Sequence, residues 1–175
     1  VLNKYTIIGM LPEQKDAIKM ALNNKFSVIT GGPGTGKTAV QRALLDLYLA
    51  KYPDADIVCC APTGQAAQRM KESSGLPAST IHKALCIQTR EDGTLTEGGI
   101  CYADLILVDE VSMMDAFLAD RLFAAVSPKT RLVIIGDADQ LPSVGPGSVL
   151  KEIINSGVVP FVRLNHVFRQ RAGSR

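Results

Sequence analysis

Short apolar runs bounded by turn-forming residues alternate along this chain with longer stretches in which apolar positions recur every three to four residues. The runs at 26–30 (FSVIT), 56–61 (DIVCCA), 104–110 (DLILVDE), 131–137 (RLVIIGD) and 161–164 (FVRL) read as strands. Most are too continuously apolar to leave one face in water, which suits a parallel sheet covered on both sides. Residues 12–23, 37–52, 64–73, 115–126 and 147–155 read as helices between them. In the second, Val40, Leu44, Leu47 and Tyr48 fall at i, i+4, i+7 and i+8, one face of a 3.6-residue period, and Pro53 stops it. Alternating strands and helices predict an α/β doubly wound, mainly parallel sheet with helices on both faces. The alternation breaks at 86–102, where Asp92-Gly93 between Thr- and Ile-bearing flanks predicts a protruding hairpin.

Composition adds bounds rather than direction. The chain has 175 residues, enough for one domain with a sizeable core. No apolar run approaches the roughly 18–20 residues that span a bilayer, and the N-terminal stretch lacks signal-peptide organisation. Cys59, Cys60, Cys86 and Cys101 have no zinc-like spacing, and two of them sit inside a strand-like run as small hydrophobes. A reducing, cytoplasmic setting is the expectation. A net charge of +2 neither demands nor forbids nucleic acid.

Chemistry enters at 31–38, GGPGTGKT, which fits the phosphate-loop pattern G-x-x-x-x-G-K-[ST]. It follows an expected strand and opens an expected helix, the context that the pattern requires. Gly31, Gly32, Gly34 and Gly36, with Pro33 and Thr35, would form a turn whose N–H groups face phosphate oxygens, and the helix N-terminus adds donors and a favourable dipole. Lys37 would neutralise the β- and γ-phosphates, and the Thr38 hydroxyl would ligate Mg²⁺. At the end of the 104–110 run, Asp109 would hold Mg²⁺ through water and Glu110 would accept a proton from the attacking water. A carboxylate directly after the metal-binding Asp favours hydrolysis of ATP over transfer to another substrate. The alternative for this pair is helix capping, which Ser112 and Asp115 are better placed to do. Asp137 and Gln140 follow a third strand at the same edge, either within reach of the nucleotide or as an ordinary strand–loop junction.

With these motifs in order, the chain resembles the first RecA-like domain of a superfamily 1 helicase, most closely that of the RecD-like DNA helicases. That group includes the α subunit of exodeoxyribonuclease V. LPEQKDAI resembles the Q motif, GGPGTGKT motif I, APTGQAAQRM motif Ia, STIHKAL motif Ib, VDEVSMM motif II, GDADQLPSVGPG motif III and LNHVFRQ motif IV. The resemblance implies that Gln14 hydrogen-bonds the adenine edge, that Gln140 senses the γ-phosphate and that Arg169 stabilises its charge. A planar guanidinium fork suits that last role.

Residue chemistry at Thr63 and Gly64 allows either a phosphate-binding helix end or a plain cap. The resemblance implies contact with the backbone of single-stranded DNA at Thr63, assisted by Gly64, Gln65 and Arg69, and at His82. For His82 the alternative is a packed, hydrogen-bonded side chain. The 86–102 insertion would be a short pin that helps to split duplex, or a surface hairpin without a mechanical role.

The expected organisation is a first RecA-like motor domain over 1–170, with 171–175 leading to a second RecA-like domain supplied in cis. ATP and Mg²⁺ would be the cofactors; single-stranded DNA and nuclease or helicase subunits the partners; 5′→3′ translocation, unwinding and DNA repair or recombination the activity of the parent, with no membrane. An RNA helicase or conjugative relaxase motor is a related alternative, and a non-hydrolysing assembly module of a nuclease complex a distinct one.

Overall fold

The apolar runs do become strands. The central ones, Phe26–Gly31, Leu105–Val108 and Arg131–Gly136, are buried because helices cover them from both sides, whereas the edge run at 161–164 buries only Leu164. The computed structural model describes residues 8–168. Its strands are β1 (Phe26–Gly31), β2 (Ile57–Ala61), β3 (Ala78–Thr80), β4 (Leu105–Val108), β5 (Arg131–Gly136) and β6 (Phe161–Leu164). They form one sheet in the order β3-β2-β4-β5-β1-β6, and every pairing within it is parallel. The helices are α1 (Pro12–Asn23), α2 (Lys37–Lys51), α3 (Gly64–Ser74), α4 (Ile81–Ala84), α5 (Ala116–Ala125) and α6 (Val149–Asn155).

Successive side chains of a strand point to opposite faces, so one strand feeds two cores. Ile106 and Val108 of β4 pack with Ile134, Leu122 and Leu150 on one side. Leu105 and Leu107 pack with Val133, Ile135 and Leu44 on the other. All four β4 side chains are fully buried, and truncating Leu105, Ile106 or Leu107 to Ala would cost about 2–5 kcal/mol. Among the described residues, no helix is long and apolar enough to cross a membrane.

Two features differ from the pattern-based expectation. β3 has three half-buried residues, Ala78, Ser79 and Thr80, and no hydrophobic period to announce it. It exists because its backbone completes the β2 edge, with Cys60 opposite Ser79. The excursion after α4 carries the expected turn at Gly93, φ 82°, with Arg90 N–H donating to Thr94 at 2.7 Å. Its antiparallel pairing is limited to the Thr89–Leu95 bridge. The rest of 86–102 is tied to the body: Gly99 N–H donates to Leu85 C=O at 2.9 Å, and Cys101 bridges Val126 in parallel. The protruding part is therefore shorter than 86–102.

Candidate nucleotide site

Because the sheet is parallel, the C-terminal ends of all six strands open at one edge, where open α/β sheets bind ligands. β1 runs into the phosphate loop, β2 into Thr63, β3 into α4, β4 into Asp109, β5 into Asp137 and β6 into Asn165–Phe168.

The loop is held by close backbone approach. A Cβ on Gly31 would come within 2.6 Å of Thr35 Oγ1 and 3.1 Å of Leu164 C=O, so only glycine fits there. Gly34 and Gly36 have φ of 73° and 86°, and a Cβ on Gly36 would run into the Gln14 amide. Thr35 Oγ1 donates to Gly32 C=O at 2.7 Å, and Thr30 Oγ1 accepts from Ala138 N–H at 3.1 Å, joining β1 to the loop after β5.

Gly36 is the N-cap of α2 and, among the described residues, no side chain caps that helix, which offers its first N–H groups to an anion. By contrast Thr63, Thr80 and Asp115 cap α3, α4 and α5 with their own side chains. Lys37 Nζ donates to Gly31 C=O at 2.6 Å and Gly32 C=O at 2.9 Å, folding its charge into the loop. Thr38 is exposed at the first turn.

Asp109 and Glu110 lie just past the end of β4. Asp109 Oδ1 accepts from Glu110 N–H at 2.7 Å. Burial raises the Asp109 pKa above the usual carboxylate value and the Glu110 charge adds to it; the Glu110 N–H bond, Lys37 and Arg69 pull it down. A desolvated acid beside a second acid is better matched by a cation than by protein alone, which fits the Mg²⁺ donor set expected of Asp109 and Thr38. Glu110 itself has φ 56°, ψ 37°, an uncommon backbone for a non-glycine residue. The bend turns the chain from β4 into the 3-10 turn Val111–Met113. Asp115, not Asp109 or Glu110, is the helix cap, accepting from Leu118 N–H at 2.8 Å.

The remaining expected residues fall as follows. Asp137 is buried facing the loop, with Oδ1 accepting from Asp139 N–H at 3.0 Å. Gln140 is exposed, and its Oε1 accepts from Ser112 Oγ at 3.1 Å, linking the loop after β5 to the turn after β4. Gln14 is 3% exposed beneath Gly36, and its Oε1 accepts from Leu11 N–H at 2.9 Å. Thr63 Oγ1 accepts from Ala66 N–H at 3.2 Å, Gly64 and Gln65 are exposed, and His82 is half-buried on α4. Arg69 is exposed on α3, and its positive charge is among those that pull the Asp109 pKa down. Arg169 lies outside the described residues.

Three participants escaped the sequence reading. Ser112 looked only like a potential cap. Glu13 carries no sequence signal of its own, yet its carboxylate accepts from Asn165 and His166 N–H groups more than 150 positions away. Phe168 places its ring edge by Gly36 and donates its N–H to Gly34 C=O at 2.9 Å. The only sequence signal for Phe168 was its place beside Arg169.

Residues 14–146 match the family described as AAA domain, AAA_19. The chain is 39% identical over 166 residues to the ATP-dependent RecD2 DNA helicase of Deinococcus radiodurans, covering 94% of this chain and 22% of that protein. It is 37% identical over 171 residues to the RecBCD enzyme subunit RecD of Haemophilus influenzae, covering 85% of this chain and 27% of that subunit. Among solved structures it is similar to the Pif1 helicase of Candida albicans, with TM-score 0.65 and 22% identity over 94% of this chain and 41% of that one. A Pif1 of Bacteroides sp in complex with ADP-AlF4 gives TM-score 0.60 and 22% identity, covering 92% of this chain and 43% of that one. These likenesses to structures concern the fold, a P-loop α/β sheet of the RecA-like kind. The chain belongs to the AAA_19 family and is, within it, a RecD-like domain of the superfamily 1 helicases.

Proposed function

We propose that this chain is the ATP-binding and ATP-hydrolysing motor domain of a RecD-like DNA helicase. The chain spans 22% and 27% of the two relatives compared above. Unwinding would be the work of a longer parent in which a second RecA-like domain completes the cleft. The observation that carries the reading is the convergence at one sheet edge of an uncapped helix N-terminus, the Lys37 ammonium and the Asp109–Glu110 pair.

On binding, the phosphates would take over the Lys37 bonds now made to Gly31 and Gly32, and the α2 N–H groups would face the same oxygens. Thr38 and Asp109 would hold Mg²⁺, which neutralises charge on the β- and γ-phosphates when bound. Phe168 offers a half-exposed apolar face beside Gly36 for the base, with Gln14 next to it. Water then attacks the γ-phosphorus and the bond to the β–γ bridging oxygen breaks. The proton passes to the Glu110 carboxylate, and ADP and phosphate leave. Gln140, held by Ser112, would orient the water or sense the γ-phosphate, and Arg169 would add charge stabilisation.

Thr63, Gly64, Gln65, Arg69 and His82 would contact single-stranded DNA along the β2–β3 side of the edge. Translocation 5′→3′, a part in DNA repair and recombination, association with nuclease subunits and a cytoplasmic setting complete the proposal. Its test is Mg-ATP binding and DNA-stimulated phosphate release in the full-length protein. Lys37→Ala should abolish turnover. Glu110→Gln should retain nucleotide binding while slowing hydrolysis by about 10²–10⁴-fold. Turnover that survives both changes would place the chemistry elsewhere, and absence of any nucleotide binding would favour an assembly module.

A further inference from the structure

The segment that leaves β6 does not run into solvent but crosses the phosphate loop. Leu164 abuts Gly31: a Cβ there would come within 3.0 Å of the Leu164 Cβ. Val167 lies against Gly34, Phe168 N–H donates to Gly34 C=O at 2.9 Å, and the Phe168 ring borders Gly36. His166 meets that ring edge-on, with centroids 5.1 Å apart. Val167 is 58% exposed and Phe168 45% exposed, so apolar burial contributes little to holding them there. Burial alone does not hold such a segment, so something polar must.

That something is Glu13. Its two carboxylate oxygens accept from Asn165 N–H at 3.1 Å each, and Oε1 also accepts from His166 N–H at 2.8 Å. Bonds to an ionised acceptor are roughly twice as strong as neutral ones, and this set locks two consecutive peptide groups. Those bonds hold the Glu13 pKa below its ordinary value, as expected of a carboxylate whose ionised form is the one bound. The next residue, Gln14, contacts Gly36 from below. The first turn of α1 therefore grips the phosphate loop with one side chain and the crossing segment with its neighbour.

We propose that Glu13 is a positioning residue for the nucleotide base: it straps Asn165–Phe168 across the phosphate loop and thereby fixes the Phe168 face against which the base rests. The inference depends on the nucleotide reading given above and assigns a role to a residue outside its phosphate and metal machinery. Glu13 touches neither phosphate nor base. It acts through the backbone of the strap.

A strap that serves the base has a signature that general destabilisation lacks. It should affect ATP, which carries a base, far more than inorganic tripolyphosphate, which does not. In the full-length protein, Glu13→Ala should weaken Mg-ATP binding about tenfold, as expected for lost bonds to a charged group. Magnesium tripolyphosphate binding should weaken by no more than about threefold, the part that the strap contributes through its bond to Gly34 C=O. Glu13→Gln, isosteric but with one carbonyl acceptor left, should fall between Ala and the parent and guards against misfolding of the Ala variant.

Equal weakening of ATP and tripolyphosphate would overturn the proposal in favour of a merely structural acid. So would unchanged ATP binding in both variants. A parent protein that binds tripolyphosphate and ATP alike with no base contribution would remove the strap role while leaving the phosphate site intact. A parent that binds neither would remove the nucleotide reading itself, and this role with it.

Discussion

The phosphate loop at 31–38 and the excursion at 86–102 are both glycine-bearing turns between regular elements, and they are held in opposite ways. The loop is fixed by distant parts of the chain: Leu164 against Gly31, Gln14 and Phe168 against Gly36, Ala138 N–H on Thr30. The tip of the excursion is fixed by itself. Asp92 accepts from Thr94 N–H at 2.9 Å and from its hydroxyl at 2.6 Å, Thr96 N–H donates to Gln88 C=O at 2.8 Å, and nothing lies within 4 Å of a Cβ on Gly93. Local bonds among exposed groups are individually weak and specify a shape without coupling it to the core. A loop offered to a charged ligand, as proposed above, is over-determined, whereas a projecting turn needs only its own chemistry.

The largest effect that would break this contrast is at Gly36. Gly36→Ala adds a Cβ where φ is 86° and where the Gln14 amide already sits. The left-handed backbone costs about 1–2 kcal/mol and the overlap about 1–3 kcal/mol more. Nucleotide affinity in the full-length protein should fall about a hundredfold or more by calorimetric titration. Affinity within a factor of a few would show that the loop is looser than its contacts imply. The matching change in the excursion is Gly93→Ala, with φ 82° but open surroundings. It should cost only the backbone strain, about 1–2 kcal/mol, and leave nucleotide affinity unchanged.

Next in size is a contrast within the excursion. A Cβ on Gly98 would lie 2.6 Å from Leu85 C=O and 3.0 Å from the Ile87 side chain, whereas one on Gly99 meets nothing. Gly98→Ala should lower stability by about 1–3 kcal/mol in a denaturant melt, and Gly99→Ala should stay within about 0.5 kcal/mol. Equal effects would mean that residues 98–103 belong to the projecting turn and not to the body. Replacing Arg90–Thr94 by Asn-Gly between the bridged Thr89 and Leu95 should spare stability and ATP turnover and reduce duplex unwinding by the full-length protein. Unchanged unwinding would leave the turn without a mechanical part.

Legibility in the sequence follows the same division. Elements specified by local chemistry could be read from the chain: four apolar residues at 105–108, a Gly-rich loop between strand and helix, an Asp-Gly turn. β3 could not, since three residues such as Ala78–Thr80 become a strand only when a neighbour offers an unpaired edge. The residues proposed for phosphate and metal could be picked out in the sequence because phosphate geometry would dictate such types and spacing. Glu13 and Ser112 were not, because each acts through a partner far away in sequence, Asn165–His166 and Gln140. The departure of Glu110 into φ 56° was equally silent, since the residue type favours no such backbone.

The finest probe of the contrast is thiol reactivity, because the four free cysteines divide between its two halves. Cys59 and Cys60 end β2 beneath the site edge, and Cys86 and Cys101 bracket the excursion. Burial pushes the Cys59 thiol up to about 11 and the Cys60 thiol, with Cys59 and Cys101 beside it, up to about 12. A raised thiol pKa means less thiolate at a given pH. At pH 8 the reactive form of Cys59 is about one part in a thousand, before any steric shielding. Iodoacetamide followed by mass spectrometry should therefore label exposed Cys86 first and half-buried Cys101 later, leaving Cys59 and Cys60 intact until the domain unfolds. The order of the first two carries the structural information. If residues 98–103 are anchored as the Gly99 and Cys101 bonds indicate, Cys101 reacts at a rate set by opening of the body and insensitive to the shortened turn. Should Cys101 keep pace with Cys86, the whole of 86–102 opens as one unit, and the boundary between over-determined and self-held structure moves back to α4.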